Sequence, residues 1–283
     1  MKEHDESAKG LPRGSLFFYP QERLHPPPTI RDTMPSRTTR AAPARTNKTA
    51  ESARKHDVHS VLAWLERTGT KANRDGMARY AIPSDKAFGV SVGALHKYAK
   101  TVGRNHELAG ALWQTGRYEA RLLASFIDEP ARVTAAQMDR WCRDFDSWAI
   151  CDTACFHLFD RTPHAWRKAR QWATAKPELV RRAGFALMAS LVGHDKAASD
   201  SEFIGLLPLM EQGAYDERNF VKKGVNWALR SLGKRSVALN DAAVGVARRL
   251  ADSDAPAARW VGKDALRELA SPAVRKRLAR RAR

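Results

Sequence analysis

Acid, cysteine, glycine and long apolar runs are all scarce in this chain, and each scarcity removes a class of protein. The three cysteines, Cys142, Cys151 and Cys155, are odd in number and form no CxxC pair. That excludes a disulfide-stapled scaffold and points to a reducing compartment. Cys151, Cys155, His157 and His164 lie close in sequence, but their spacing fits no standard zinc pattern, so no metal is expected. The longest purely apolar run, FALMASLV at 185–192, is far shorter than a bilayer requires. The opening MKEHDESAKG is of mixed charge with no apolar core behind it, so a cytoplasmic protein without membrane association is expected. No glycine-rich phosphate loop and no strand–turn–strand alternation is present, and no cofactor is implied.

The scarcity of acid is the most informative. Across 283 residues, 49 Lys+Arg stand against 31 Asp+Glu, a net charge of +18. This is well beyond what solubility needs and favours a polyanionic partner. Nucleic acid leads, with an anionic membrane surface behind it. Residues 1–55 hold 11 basic and 6 acidic residues, a net of +5, which leaves +13 on residues 56–283. The first segment is rich in Pro, Thr, Arg and Ser and has no helical period, the composition of a disordered or loosely attached basic tail. Residues 56–283 are expected to form a single domain.

What that domain does contain is helix after helix. Apolar residues recur at three- and four-residue spacing, as in Val61, Leu62, Leu65 and again in Leu122, Leu123, Phe126, with short breaks such as DEPARVT and ATAKPE. The helices repeat. RRAGFALMASL at 181–191 aligns with KKGVNWALRSL at 222–232, and NWALRSL at 226–232 aligns with KDALREL at 263–269. Periods near 40 residues with two helices each predict an all-α, HEAT-like helical-repeat solenoid with a concave basic face. Arg181 and Arg182, Lys222 and Lys223, and Lys263 would line that face as a stripe. Trp227 stands where the sibling repeats carry Ala186 and Asp264. Packing against a neighbouring helix and a role in a site are both open for it. Arg230 recurs as Arg267, and the chain ends on the strongly basic AVRKRLARRAR.

One carboxylate runs against this charge. In SWAICDTACFHLF, residues 147–159, Asp152 follows Trp148 by four residues, so a helix would set both on one face. An acid on a phosphate-binding surface is unfavourable, and catalysis is one reason to tolerate it. A carboxylate with tryptophans, and with no metal or Cys/His dyad, suits cleavage of an N-glycosidic bond. The carboxylate stabilises an oxocarbenium-like transition state and orients water, while an aromatic face attracts the sugar as it becomes cationic. An alkylated, cationic base leaves neutral and needs no general acid. Two other readings stay open at this point: Asp152 as the N-cap of a helix, or as the ion-pair partner of Arg143 or Arg182.

Three segments resemble the DNA alkylation repair family, the AlkD-like HEAT-repeat DNA glycosylases. They are MARYAIPSDKAFGVSVGALHK at 77–97, WAICD at 148–152 and NFVKKGVNWALRSLGK at 219–234, and LAGALWQTGRYEARLLA at 108–124 is similar as well. Together they cover about 56–270 in order. The resemblance implies a monomeric, monofunctional glycosylase that removes N3- and N7-alkylpurines from double-stranded DNA without flipping the base, associated with the nucleoid. It implies Asp152 as the catalytic carboxylate, Trp148 and Trp227 as aromatic walls on the deoxyribose, and Tyr80 beside the lesion. Phe220, Lys222, Lys223, Arg230 and one of Arg181 and Arg182 are then duplex contacts. Departures are Ala149, where the family often has an acid, Asn219, where an aromatic is expected, and the long amino-terminal tail. A non-catalytic, damage-sensing DNA binder and a protein-interaction scaffold are the competing functions.

Overall fold

The computed structural model describes residues 56–281; the basic tail expected over residues 1–55 lies outside them. From Lys55 onward the chain is one compact unit. Its elements are α1 Val58–Thr68, α2 Lys71–Gly76, a 3₁₀ turn Met77–Tyr80, α3 Val92–Val102, α4 His106–Gln114, α5 Tyr118–Ile127, α6 Ala135–Arg143 and α7 Trp148–His157. A second 3₁₀ turn Phe159–Arg161 follows, then α8 Ala165–Ala173, α9 Glu178–His194, α10 Asp200–Ile204, α11 Leu207–Gly213, α12 Asn219–Leu232, α13 Val237–Ala251, α14 Pro256–Leu269 and α15 Pro272–Arg281. Among the described residues there is no strand. The boundaries follow local chemistry. Side chains of Ser91, Asn105, Thr134, Ser147 and Ser236 accept first-turn N–H groups of α3, α4, α6, α7 and α13, and Pro opens α14, where its missing donor costs nothing.

The helices pack in two rows, the arrangement of a HEAT-like repeat. In the front row α3, α5, α7, α9, α12 and α14 follow one another side by side, and α4, α6, α8, α11 and α13 pack against them from behind. Front-row neighbours run parallel. The Cys151 and Cys155 thiols of α7 donate to the Leu179 and Ala183 carbonyls of α9 at 3.7 and 3.6 Å, one turn apart on both helices. Asn226 of α12 and Lys234 just past its end meet Asp264 and Glu268 of α14 at 2.7 Å each, again in the same direction. Parallel packing brings the amino-terminal turns of α7, α9, α12 and α14 to one edge of the row. This is how residues 30 to 40 apart in sequence come to share a site.

A continuous apolar cluster runs between the rows, with Met138, Phe159, Phe185 and Phe203 fully enclosed. Two glycines set how closely the rows approach. A Cβ on Gly184 would lie 2.3 Å from Ala173 N, and one on Gly262 would lie 2.2 Å from Ala251 N. Each is the seventh residue of its helix, α9 or α14, and meets the end of the helix behind it. No other residue type permits that backbone contact.

Candidate active site

Asp152 and Trp148 are both on α7, one turn apart. The helix is capped by Ser147, whose Oγ accepts from Ala149 N at 3.1 Å. The N-cap reading of Asp152 is therefore corrected: Ser147 takes the cap, Trp148 is the first helical residue, and Asp152 lies in the second turn, facing α9. There it meets Arg182 in a two-pronged ion pair. Arg182 Nε donates to Oδ1 at 2.9 Å and Nη2 to Oδ2 at 2.7 Å. The third arm, Nη1, donates to the Phe220 carbonyl at 2.8 Å, and the guanidinium carbon lies 5.7 Å from the centre of the Trp148 ring. Arg182 is enclosed, with 8% of its side chain exposed, while Asp152 keeps 20%. The ion-pair reading with Arg182 thus holds, and Arg143 takes no part in it.

Burial pushes the Asp152 carboxyl above its ordinary pKa, opposed by the charge and the hydrogen bonds of Arg182. At Arg182 burial pulls downward, but pairing with Asp152 wins and the guanidinium is held above its ordinary value. Both values move upward, but for opposite reasons: at Asp152 removal from water outweighs the attraction of Arg182, and at Arg182 the attraction of Asp152 outweighs removal from water. Both prongs of the fork are made, and part of the carboxylate remains open to water. Lys223 adds charge beside it. Its pKa is lowered by burial and by the neighbouring Arg182 and Lys222, which marks a cation-rich surround with one carboxylate at its centre.

The stripe of basic residues expected along the front is only partly formed. Arg181 turns back, its Nε donating to Ala173 O at 3.1 Å and its Nη1 pairing with Asp216 at 3.1 Å. Arg230 pairs with Asp264 at 3.1 Å and with Glu268. In this structure Arg181, Arg182 and Arg230 are each engaged in ion pairs. Lys222 and Lys223 form no ion pair among the described residues. Phe220 opens α12, fixed by Glu178 Oε1 accepting from its N–H at 3.1 Å and by the Arg182 bond to its carbonyl. Trp227 is half-buried against the main core. It lies three residues after Gly224, where an added Cβ would meet Arg182 and Phe185 of α9 at 3.5 Å each, so the period of about 3.6 sets Trp227 toward the α9-facing side of α12.

The family pattern described as DNA alkylation repair enzyme matches residues 61–269. This chain belongs to the DNA alkylation repair family. A solved structure described as "a new family of proteins related to the HEAT-like repeat DNA glycosylases with affinity for branched DNA structures" superposes with a TM-score of 0.64 at 24% identity, covering 76% of this chain and 96% of its own. At that identity the likeness speaks for the shared helical-repeat fold. No curated protein matches. Among the described residues of this family member, no helix is long and apolar enough to cross a membrane.

The MARY segment reaches the site through a tie that periodicity does not reveal. Trp148 Nε1 donates to the Tyr80 carbonyl at 2.8 Å. Tyr80 closes the first 3₁₀ turn and is an exposed residue. Met77, Ile82 and Ala87 pack with Ala149 and Trp148 in a small second core. The segment is anchored further on by Glu119 of α5, a fully buried carboxylate that accepts from Phe88, Gly89 and Val90 N–H at 2.8, 2.6 and 3.1 Å. Glu119 was legible only as part of the family-like Glu-Ala-Arg stretch, because its partners lie about 30 residues away. Glu119→Ala is expected to orphan three buried donors and cost about 3 kcal/mol or more. In hydrogen exchange, amides 77–90 should lose protection before the α9–α12 core does; unchanged protection there would refute the anchoring role.

Proposed function

We propose that this chain hydrolyses the N-glycosidic bond of cationic N3- and N7-alkylpurines in double-stranded DNA, acting as a monomeric glycosylase on chromosomal DNA in the cytoplasm and without a cofactor. The observation that carries the reading is the setting of Asp152: a carboxylate one turn from an aromatic wall, partly open, and held by Arg182, which has Lys223 for a neighbour. Cations attract and position the phosphates. The carboxylate is the one negative group placed to meet a sugar as it gains positive charge and to orient the attacking water. In this reading Trp148 and Trp227 supply the ring faces that pack on the deoxyribose. Arg182 orients Asp152 and keeps it ionised. An alkylated base needs no proton to leave, and no acid is placed to give one. A partly open carboxylate on a helix edge suits cleavage without base flipping.

A second reading has one observation in its favour. Both Asp152 oxygens already accept from Arg182, and the superposing protein is described by its affinity for branched DNA, so a binder without excision is the alternative. The two readings part in one assay. Full-length protein is incubated with methylated duplex DNA, and freed 7-methylguanine is measured by chromatography. Release well above spontaneous depurination supports the glycosylase; salt-sensitive duplex binding with background release only would establish the binder.

A further inference from the structure

We propose that α14 carries a second nucleic-acid contact, in which an unpaired nucleotide of a DNA strand stacks on Trp260. The proposal rests on the DNA-binding reading above and extends it to a surface that the reading does not use. Of the eight tryptophans in the chain, seven are buried in an apolar core or packed on one: Trp64, Trp113, Trp141, Trp166, Trp172 and Trp227 in the main cluster and Trp148 in the smaller one. Trp260 belongs to neither and is 40% exposed. The buried face of α14 is built from Ala257, Ala258, Val261, Gly262, Ala265 and Leu269, so the fold does not call for an indole on the opposite side.

Its surroundings are cationic. Arg259, Lys263 and Arg267, each one turn apart, line a shallow groove together with Trp260, and Lys222 of α12 reaches over the indole with Nζ 5.7 Å from the ring centre. Lys222, Arg259 and Lys263 have no acidic partner among the described residues. The one carboxylate in the groove, Asp264, is neutralised by Asn226 at 2.7 Å, Arg230 at 3.1 Å and Arg267. An exposed ring inside a basic track is the arrangement by which proteins hold single-stranded nucleic acid. Cations follow the backbone while the ring takes a base face, independent of sequence. Paired bases already have both faces covered by their stack, so duplex alone leaves the indole without a partner. A phosphate contact would require no indole. Lys222 joins this groove to the neighbouring Lys223 and Arg182, so a strand that leaves the duplex near Asp152 and follows the front row past α9 and α12 meets Trp260 on α14.

The test compares the binding of full-length protein to a blunt duplex with binding to the same duplex bearing a short single-stranded arm, by fluorescence anisotropy. Wild type should prefer the armed duplex by roughly tenfold, the range of one aromatic–base stack. Trp260→Ala should lose that preference while holding the blunt duplex within about twofold, and Trp260→Phe should retain most of it, since any aromatic face stacks. Base release from a blunt alkylated duplex should not change in either variant. Equal binding of both DNAs by wild type, or a preference that survives Trp260→Ala, overturns the proposal while leaving duplex binding intact. Parallel loss of both affinities in Trp260→Ala also overturns it, because the ring would then be a general duplex contact. Failure of wild type to bind the blunt duplex at all removes the DNA reading itself.

Discussion

Asp152→Asn is expected to reduce single-turnover release of 7-methylguanine by at least about a hundredfold, the usual effect of removing one preorganised charge-stabilising group from a transition state. The amide keeps the size of the carboxylate and one acceptor for Arg182, but it cannot supply the negative charge that meets the cationic sugar. Duplex affinity should be unchanged or slightly higher, because an acid facing phosphates has been removed. The substitution also leaves Arg182 without its counter-ion. Since the amide oxygen still accepts from Arg182, the expected cost is at the lower end of the roughly 3–5 kcal/mol typical of broken buried pairs. Thermal unfolding of the variant therefore accompanies the assay, so that loss of activity is read on folded protein. Release at the wild-type rate by a folded Asn variant would remove Asp152 from the chemistry.

Arg182→Met has the larger effect on stability, and the effect depends on pH. The side chain is enclosed and makes three hydrogen bonds, two to Asp152 and one to Phe220. Its loss is expected to cost about 3–5 kcal/mol near neutral pH, because it strands a carboxylate with little access to water. The sign with pH follows from the direction of the Asp152 shift. Burial already raises this carboxyl above its unfolded value. Such a group contributes stability that is fully present below the unfolded pKa and is lost as pH rises through the folded one. Arg182 opposes that loss, so without it the folded pKa rises further and the penalty grows as pH climbs. Urea unfolding should show the Met variant closest to wild type in mild acid and furthest from it at neutral pH. The acid limb of the release rate, which requires the ionised carboxylate, should move to higher pH in the variant. A destabilisation that is the same at both pH values would mean that Arg182 acts through packing and its Phe220 bond alone.

The particular residues show what kind of information a sequence carries. The succession of helices was legible from apolar spacing such as Leu122, Leu123, Phe126, and the repeat from the alignment of 181–191 with 222–232 and 263–269, because each helix must bury one face at its own period. The pairing of Trp148 with Asp152 on one face was legible for the same reason. The family-like segments singled out Tyr80, Phe220 and Trp227, which the structure sets around α7, α9 and α12. What periodicity could not resolve was direction. Arg181 and Arg182 are adjacent and chemically identical, yet one turns back to Asp216 and the other inward to Asp152. Successive residues on a helix point about 100° apart, and the partners that decide between them sit on other elements. Glu119 and Trp260 were passed over for related reasons. The three N–H groups that Glu119 holds lie in a segment remote in sequence, and an exposed tryptophan looks like a buried one until the core has been assembled around the others.

Local chemistry by itself determined the all-α repeat, the excess of positive charge, the side-by-side placing of an acid and an indole on α7, and the Ser147 cap that frees Asp152 from capping. Those depend on residues within a turn or two of one another. The parallel front row decided the rest. It brought the first turns of α7, α9, α12 and α14 to one edge, gave Asp152 its guanidinium and its raised pKa, tied Arg181 and Arg230 into ion pairs, and left Trp260 outside both cores. Each of these is a matter of which groups meet after the chain has returned on itself, and of how much water remains between them, and a linear order of residues contains neither.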